Sequence, residues 1–222
     1  MSKHYDRAYF DKWYRGRARI SSDTEVRRKV MLAVAATEYF LRRPLRSTLD
    51  VACGEGAWFP HLEALRPRAS YRGIDPSDYA VAAFGRKRHI EKGSLRDVSG
   101  IDAHYDLVVC ADALHYIDDA EIRDAVPALA RIARGVLWLE VLTREDTIIG
   151  DLDGLRRRRA SWYRKVFTAA GLHQAGPHLW LAPVRSAAHE LTRAARLSYS
   201  ASCYGSERRR GHGPKRAWGP RP

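Results

Sequence analysis

The stretch LDVACGEGAW, residues 49–58, joins an apolar run and an aspartate to a turn with two glycines in the spacing G-x-G. Such a turn brings the backbone close to a bound ligand. Between residues 47 and 60 the charged side chains other than histidine are Asp50 and Glu55, and no Lys or Arg stands beside them. A phosphate site would recruit positive charge next to the helix N-terminus. The turn therefore predicts a ligand that is neutral or cationic where it meets the loop.

The residues after the glycines argue against two common nucleotide loops. A P-loop needs Lys followed by Ser or Thr, and neither follows here; a dinucleotide fingerprint needs a small third residue, and that position is Phe59. Asp75 ends the next predicted strand, 19 residues after Gly56, where a carboxylate can accept hydrogen bonds from a ribose diol. We expect a nucleoside without phosphates but with positive charge, and S-adenosylmethionine has these properties.

The elements that must position these residues alternate along the chain. The predicted strands are STLDVA, YRGID, HIEKGS, YDLVVCA and GVLWLEVL, and the predicted helices are Thr24–Arg42, AWFPHLEAL, SDYAVAAFG, DDAEIRDAVPALARIA and Leu155–Ala170. GLHQAGPHLWLAP then predicts a hairpin around Gly176 and Pro177. Apolar strands separated by helices predict a doubly wound α/β fold with helices on both faces, whose ligands bind outside the carboxyl ends of the strands.

Three motifs together resemble a known family. DVACGEG (residues 50–56) resembles the D-x-G-C-G-x-G motif of class I S-adenosylmethionine-dependent methyltransferases, and Asp75 in GIDPS matches their ribose-binding acid. YDLVVCADALHYIDD and GVLWLEVL resemble their fourth and fifth strands. The resemblance covers about residues 25–182 and implies a Rossmann-like seven-stranded sheet of order 3-2-1-4-5-7-6.

The same resemblance implies S-adenosyl-L-methionine as cofactor and a set of residues that hold it. The implied cofactor-binding residues are Asp50, Ala52, Cys53, Gly54, Gly56, Asp75, Pro76, Ser94 and Ala111. Ala52 stands where the family has its first glycine. We expect its methyl group to be tolerated if φ is negative.

The methyl acceptor should lie above the tips of the fourth and fifth strands, where the sequence offers a base. His115 is the first candidate because its pKa lies near neutrality, and Asp112 and Glu140 are the others. Two alternatives stay open: His115 packs or hydrogen-bonds inside the fold, and Glu140 bonds a neighbouring backbone group.

Aromatic and basic residues form two further groups. Tyr9, Phe10, Trp13 and Tyr14 precede the core where related enzymes place a lid over the cofactor, and Tyr116 is expected on the substrate side. Alternatively, the aromatics of this arm pack on the core. RRRRASWYRKVF predicts a helix whose arginines are solvated or attract an anion. TREDTIIGDLDG predicts either a substrate-side loop or a surface connection paired with those arginines.

Composition and charge divide the chain into three predicted regions. The formal net charge is +13, and residues 185–222 contribute +7 of it in a Gly-, Pro- and Arg-rich segment. We expect an aromatic arm over residues 1–23, a catalytic domain over 24–184, and a basic, disordered tail over 185–222. Three scattered cysteines predict reduced thiols and no metal site. With no apolar signal region and no membrane-spanning run, we expect a cytoplasmic protein.

The leading hypothesis for function is a small-molecule methyltransferase that acts on oxygen or nitrogen, because the core has no added recognition domain. VVCADALHYIDDAEIRDA has a distant likeness to NodS-type methyltransferases, which implies a sugar or secondary metabolite as acceptor. The turn ADALHY lacks the motif of enzymes that methylate base amines in DNA. Two alternatives remain: an enzyme acting on RNA or protein, suggested by the charge, and a catalytically silent scaffold that binds the cofactor.

Overall fold

The structure is a computed structural model, and it describes residues 4–15, 21–148 and 150–183. Within these residues lies a sheet of seven strands in the order β3-β2-β1-β4-β5-β7-β6. The strands are β1 Ser47–Val51, β2 Ser70–Asp75, β3 Ile90–Lys92, β4 Tyr105–Ala111, β5 Ala133–Glu140, β6 His173–Gln174 and β7 Leu179–Leu181. The first five pair in parallel, and β7 runs antiparallel to both β5 and β6. The predicted sheet order is confirmed.

Helices cover both faces of this sheet. They are α1 Arg7–Phe10, α2 Asp23–Leu41, α3 Phe59–Leu65, α4 Asp78–Arg88, α5 Asp119–Ile132 and α6 Ala160–Ala169. Neighbouring residues of β4 show the two layers, since alternate side chains of a strand point to opposite faces. Leu107 packs with Val30 of α2, whereas Val108 packs in a second cluster with Ile122 of α5 and Phe167 of α6.

Helix α2 has a defined capping residue at each end. The hydroxyl of Ser22 accepts a hydrogen bond from the Glu25 amide at 3.1 Å, which caps the first turn. Arg42 adopts a left-handed conformation with φ of 52° and ends the helix. Its buried stripe includes Val30, Ala33 and Val34, so the helix lies fixed across β4 and β5. The next side chain along this inner surface, Lys29, is thereby held near the strand tips.

The prediction for residues 155–170 was wrong at its start. Helix α6 begins at Ala160, so the four arginines precede it, and Arg159 is extended with ψ of 148°. Arg158 is buried, whereas Arg156, Arg157 and Arg159 are exposed. The Arg158 guanidinium donates to Asp119 at 2.7 Å and to the carbonyl of Ile117 at 2.5 Å, which draws this backbone away from helical geometry. Arg158 is therefore neither a solvated side chain nor an anion site.

The two ends of the chain differ in what the structure describes. The predicted N-terminal arm is described over residues 4–15, where α1 is followed by a π-helical segment, Asp11–Arg15. The predicted basic tail over 185–222 lies outside the described residues. Of the helices in the described ranges, none has the length and apolar character needed to cross a membrane.

Candidate functional site

A cavity of about 250 Å³ opens at the carboxyl ends of β1, β4 and β5. Its wall combines the glycine loop, the start of α2 and the N-terminal arm. The lining residues are Trp13, Tyr14, Ser21, Asp23, Val26, Lys29, Asp50, Ala52, Cys53, Glu55, Ala57, Trp58, Pro60, Arg88, Ala111, Asp112 and Glu140. Eight of the residues predicted for the site are among them: Trp13, Tyr14, Asp50, Ala52, Cys53, Ala111, Asp112 and Glu140.

The glycine loop takes its shape from alternate left-handed residues. Ala52, Gly54 and Gly56 have φ of 55°, 56° and 71°. The condition stated for tolerating the Ala52 methyl group, a negative φ, is therefore not met. A left-handed conformation costs a residue with a Cβ atom about 1–2 kcal/mol, so this loop holds strain that the family's glycine avoids.

Asp75 joins this loop to the neighbouring strand. One carboxylate oxygen accepts from the Gly54 amide at 2.6 Å and the other from the Ser77 amide at 2.8 Å. The side chain is buried, and burial raises the pKa of its carboxyl although both amide bonds oppose the rise. An ionised carboxylate has about four acceptor positions, so two amides leave capacity for two sugar hydroxyls. The chemistry of this position fits a ribose.

Asp50 is the acid on the cavity side of the same loop. It is 2% exposed, and its carboxylate accepts from the Tyr71 hydroxyl at 2.7 Å. Burial raises the pKa of Asp50 to about 7; the bond from Tyr71 opposes this rise and the nearby Asp75 adds to it. A cation placed beside Asp50 would restore its ionised form. The loop is thus poised for a positively charged ligand.

The N-terminal arm lies directly on the glycine loop. A Cβ atom added at Gly54 would stand 3.2 Å from both Phe10 Cε1 and the Tyr14 hydroxyl. Phe10 is buried, and its ring centroid lies 5.0 Å from that of Tyr14 and 5.5 Å from that of Tyr79. The absence of a side chain at Gly54 is what lets the arm approach.

Polar contacts fasten the arm at two further points. Arg15 pairs with Glu55 of the loop, and the Ser77 hydroxyl donates to the Tyr5 carbonyl at 2.5 Å. Trp13 and Tyr14 meanwhile line the cavity. The two interpretations of the aromatic arm thus apply to different residues, since Phe10 packs in the core while Trp13 and Tyr14 face the site.

The opposite end of the cavity is formed at the tips of β4 and β5. Lys29 of α2 donates to one oxygen of Glu140 at 2.6 Å, and the Trp138 indole donates to the other at 3.1 Å. Burial alone would lower the pKa of Lys29, but Glu140 outweighs it and the pKa is raised. The pair is therefore charged, and both of its members are held in place.

Asp112 and His115 follow β4 on a short turn. Asp112 lines the cavity with a left-handed φ of 59°. His115 is fully buried and does not line the cavity; its Nδ1 accepts from the Leu142 amide at 3.2 Å. Its Nε2 lies 3.5 Å from Asp112 Oδ1. This placement favours the alternative in which His115 is a packing and hydrogen-bonding residue.

The other predicted site residues do not line the cavity: Tyr9, Gly54, Gly56, Asp75, Pro76, Ser94, His115 and Tyr116. Ser94 caps a short helical segment, and its hydroxyl donates to Asp97 at 2.8 Å. The Pro76 carbonyl accepts from Lys92 at 2.7 Å, and the Tyr116 hydroxyl donates to the Asp151 carbonyl at 2.8 Å. Tyr9 packs edge-on against Phe10 with centroids 5.5 Å apart. In the acidic segment after β5, Asp151 is buried, whereas Glu145, Asp146 and Asp153 are exposed.

Several lining residues were missed by sequence reasoning: Asp23, Lys29, Trp58 and Arg88. A signal existed for Lys29, because it falls between Val26 and Val30 on the apolar face predicted for α2, where a charge needs a partner. Trp58 lies directly after the glycine motif, and its ring packs edge-on against Trp138 with centroids 5.5 Å apart. The Arg88 guanidinium donates to the Glu55 carbonyl at 2.6 Å, a contact with no local pattern in the sequence.

Known proteins share this architecture. Residues 48–135 match the family described as a methyltransferase domain. The chain is similar to the magnesium protoporphyrin IX methyltransferase of Synechocystis PCC 6803, which was solved with bound S-adenosylmethionine. The two sequences are 20% identical, and the match covers 78% of this chain and 84% of that chain with a TM-score of 0.54. It is also similar to an S-adenosylmethionine-dependent methyltransferase of Clostridium acetobutylicum. These two sequences are 13% identical, and the match covers 76% of this chain and 87% of that chain with a TM-score of 0.59.

A third solved structure is the plantazolicin methyltransferase BamL in complex with a triazolic desmethylPZN analog and SAH. It is 14% identical, with 68% of this chain and 65% of that chain covered at a TM-score of 0.54. At such identities the likeness shows a shared fold. No curated protein sequence matches the chain.

Proposed function

We propose that this chain, whose fold and matched domain are those of class I S-adenosylmethionine-dependent methyltransferases, transfers a methyl group from S-adenosylmethionine to an oxygen or nitrogen of a small molecule. One observation carries the proposal. The glycine loop lies between two buried carboxylates, Asp50 on the cavity side and Asp75 one strand over. Of the described cations beside it, Arg15 pairs with Glu55 and Arg88 donates to the Glu55 carbonyl.

The residues present fit the cofactor. Asp75 keeps acceptor capacity for the ribose hydroxyls, and Asp50 offers a negative charge that a neighbouring cation would restore. Cys53 of the glycine loop and Ala111 at the end of β4 line the cavity and would contact the methionyl part. When bound, the cofactor supplies an activated methyl group on a positively charged sulfur. The roles of Pro76 and Ser94 remain those implied by the family alone.

The chain's own contribution to transfer is positioning and exclusion of water. Trp13 and Tyr14 place aromatic surface over the cavity, and the arm is fastened by Arg15 and Glu55. Much of a displacement reaction's barrier can be removed by holding the acceptor in line with the reacting carbon. Aromatic surface over the cavity also limits the access of water that would compete as acceptor.

The cavity suits a small acceptor better than a polyanion. Of the described residues that line it, the two basic ones are engaged, Lys29 by Glu140 and Arg88 by the Glu55 carbonyl. A phosphate backbone would need such cations to be available for contact. The magnesium protoporphyrin IX and plantazolicin methyltransferases are named for acceptors of limited size, which agrees with this interpretation. A sugar or secondary metabolite is the acceptor class we favour.

Calorimetry with S-adenosylmethionine and S-adenosylhomocysteine tests the cofactor directly. Asp75→Ala should weaken binding by tenfold or more, because each charge-assisted hydrogen bond contributes about 1.5–3 kcal/mol. Asp102→Ala, at an exposed acid, is the matched control and should bind as the wild type does. Absence of binding, or binding of NADH instead, would refute the proposal. An acceptor screen with radiolabelled methyl donor then identifies the substrate.

A further inference from the structure

Three side chains near the tips of β4 and β5 could take a proton from the acceptor: His115, Glu140 and Asp112. Their surroundings distinguish them. His115 is fully buried, and its Nδ1 already accepts from the Leu142 amide at 3.2 Å. An imidazole that accepts at Nδ1 carries its proton on Nε2, so neither nitrogen is a base that faces the cavity.

Glu140 lines the cavity, but both oxygens of its carboxylate already accept hydrogen bonds. Lys29 donates to Oε1 at 2.6 Å and Trp138 donates to Oε2 at 3.1 Å. A proton placed on either oxygen would weaken the ion pair with Lys29 in a part-buried setting. Glu140 therefore serves as the fixed partner of Lys29 and is a poor proton acceptor.

Asp112 differs from both. Its carboxylate lines the cavity and is about one-third exposed. Within residues 4–15, 21–148 and 150–183, the nitrogen beside its carboxylate is Nε2 of His115 at 3.5 Å, which is too far for a formed hydrogen bond, and no closer donor contacts it. Its backbone is fixed, since φ is 59° and its amide donates to the Glu140 carbonyl at 3.2 Å. The side chain is thus aimed at the cavity while remaining open to an acceptor.

We propose that Asp112 accepts the proton that the methyl acceptor loses, and that His115 is a positioning residue whose Nε2 proton orients the Asp112 carboxylate. This rests on the proposed function. As the acceptor atom forms its bond to the methyl carbon, the bond from that carbon to sulfur breaks and its electron pair stays on sulfur. The acceptor's proton moves to Asp112 and then to solvent, so charge and atoms balance.

The electrostatics of the turn agree with this role. Burial raises the pKa of Asp112 to about 7; Glu140, Glu25 and Asp151 add to the rise, and Lys29 opposes it. His115 faces it from its own turn and Tyr14 faces it from the arm. A base works best when its pKa lies near the working pH. At neutral pH Asp112 is then part ionised and able to hold a transferred proton.

This assignment narrows the acceptor class. A group that must lose a proton, such as an amine or a hydroxyl, makes use of Asp112. A carboxylate acceptor has no proton to lose at neutral pH, and it would be repelled by Asp112 and Glu140. The proposal therefore selects amines and hydroxyls as acceptors and excludes carboxylates.

The test is a carbon-13 NMR titration of aspartate carboxyls in the complex with S-adenosylhomocysteine. The signal that disappears in Asp112→Asn should titrate near pH 7 in the wild type. In His115→Leu its midpoint should rise by about 0.5–1 pH unit, because a donor to the anion has been lost. His115→Gln, whose amide can donate again, should bring the midpoint back toward the wild-type value. A purely structural role for His115 would give no such recovery.

Turnover gives the second measurement. Asp112→Asn should lower the methylation rate of the screened acceptor by about 10²- to 10⁴-fold, with affinity for S-adenosylhomocysteine within about twofold of wild type. If the wild type does not bind S-adenosylhomocysteine, the proposed function itself fails. If it binds, but the Asp112 signal titrates below about pH 5 as a solvent-exposed aspartate does, only the role of Asp112 is overturned. If His115→Leu does not fold, the titration midpoints of the wild type and of His115→Gln still test the role of Asp112.

Discussion

The two ends of the cavity are built in different ways. At the glycine-loop end, Asp50, Gly54 and Asp75 lie within one strand-helix-strand unit, β1-α3-β2, and backbone amides hold the Asp75 carboxylate. At the β4–β5 end, Lys29 and Glu140 come from elements 111 residues apart, and side chains hold one another. The first end presents a pre-shaped backbone, whereas the second depends on packing contacts across the whole domain.

This difference separates what the ends can be expected to do. A backbone turn with buried acids recognises one kind of ligand and tolerates little change, because its conformation is fixed by local geometry. A set of paired side chains can be altered by single substitutions without disturbing the turn. We therefore expect cofactor binding to be determined at the glycine-loop end and acceptor choice at the β4–β5 end.

The largest expected effect concerns the residue that braces the β4–β5 end. Arg158→Met should lower the unfolding free energy by about 2–4 kcal/mol, because the carbonyls of Leu114 and Ile117 lose their donor and each unsatisfied buried acceptor costs about 1–3 kcal/mol. Arg157→Met, at the exposed neighbour, is the matched control and should change it by less than about 0.5 kcal/mol. Urea denaturation measures both. Equal losses in the two variants would show that the brace is not what holds this end.

At the glycine-loop end, stability should depend on pH through Asp50. Its pKa in the folded protein is about 7, above the ordinary value of 3.8, so the folded state holds an extra proton between these values. Stability from this group is therefore lost as pH rises through that window. In Asp50→Asn the gain in unfolding free energy at pH 8 should exceed the gain at pH 5 by about 1–2 kcal/mol. Asp102→Asn, at an exposed acid, should show no comparable difference; a pH-independent gain in Asp50→Asn would contradict the burial argument.

At the β4–β5 end, the ion pair of Lys29 and Glu140 should affect both stability and the pH dependence of turnover. Lys29→Met should cost about 1–2 kcal/mol of stability, since Glu140 then lacks its cation in a part-buried setting. It should also move the acid limb of the rate profile to higher pH, because Lys29 lowers the pKa of Asp112. Lys29→Met combined with Glu140→Gln should recover most of the lost stability. If the double variant is the less stable one, the pair is not the source of the loss.

The smallest effect is expected in the turn itself. Ala52→Gly should raise the unfolding free energy by about 0.5–1 kcal/mol, because φ of 55° strains alanine more than glycine. Ala57→Gly makes the same chemical change where φ is not positive, and it should lower stability by a similar amount. Thermal unfolding of the two variants compares them directly. Shifts of the same sign would remove the argument from backbone strain.

Sequence patterns predicted the local features and missed the distant ones. The bounds of β4 and the place of Asp75 followed from apolar runs and turn residues within a few positions. The start of α6 did not, because Arg158 is drawn out of the helix by Asp119, 39 residues earlier in the chain. His115 was the first candidate base on account of its chemistry, but its burial is a property of the folded turn. The left-handed Ala52 was missed because the motif gives no dihedral angle.

The contacts of Arg158 also bear on the order in which the two ends of the cavity form during synthesis. A chain made from its N-terminus already contains β1, β2 and the glycine loop when residue 111 has emerged, so that end can assemble early. The turn after β4 must wait until Arg158 arrives to bond the carbonyls of Leu114 and Ile117. During synthesis the glycine-loop end can therefore assemble before the β4–β5 end, because in any chain that stops short of residue 158 the carbonyls of Leu114 and Ile117 lack this donor.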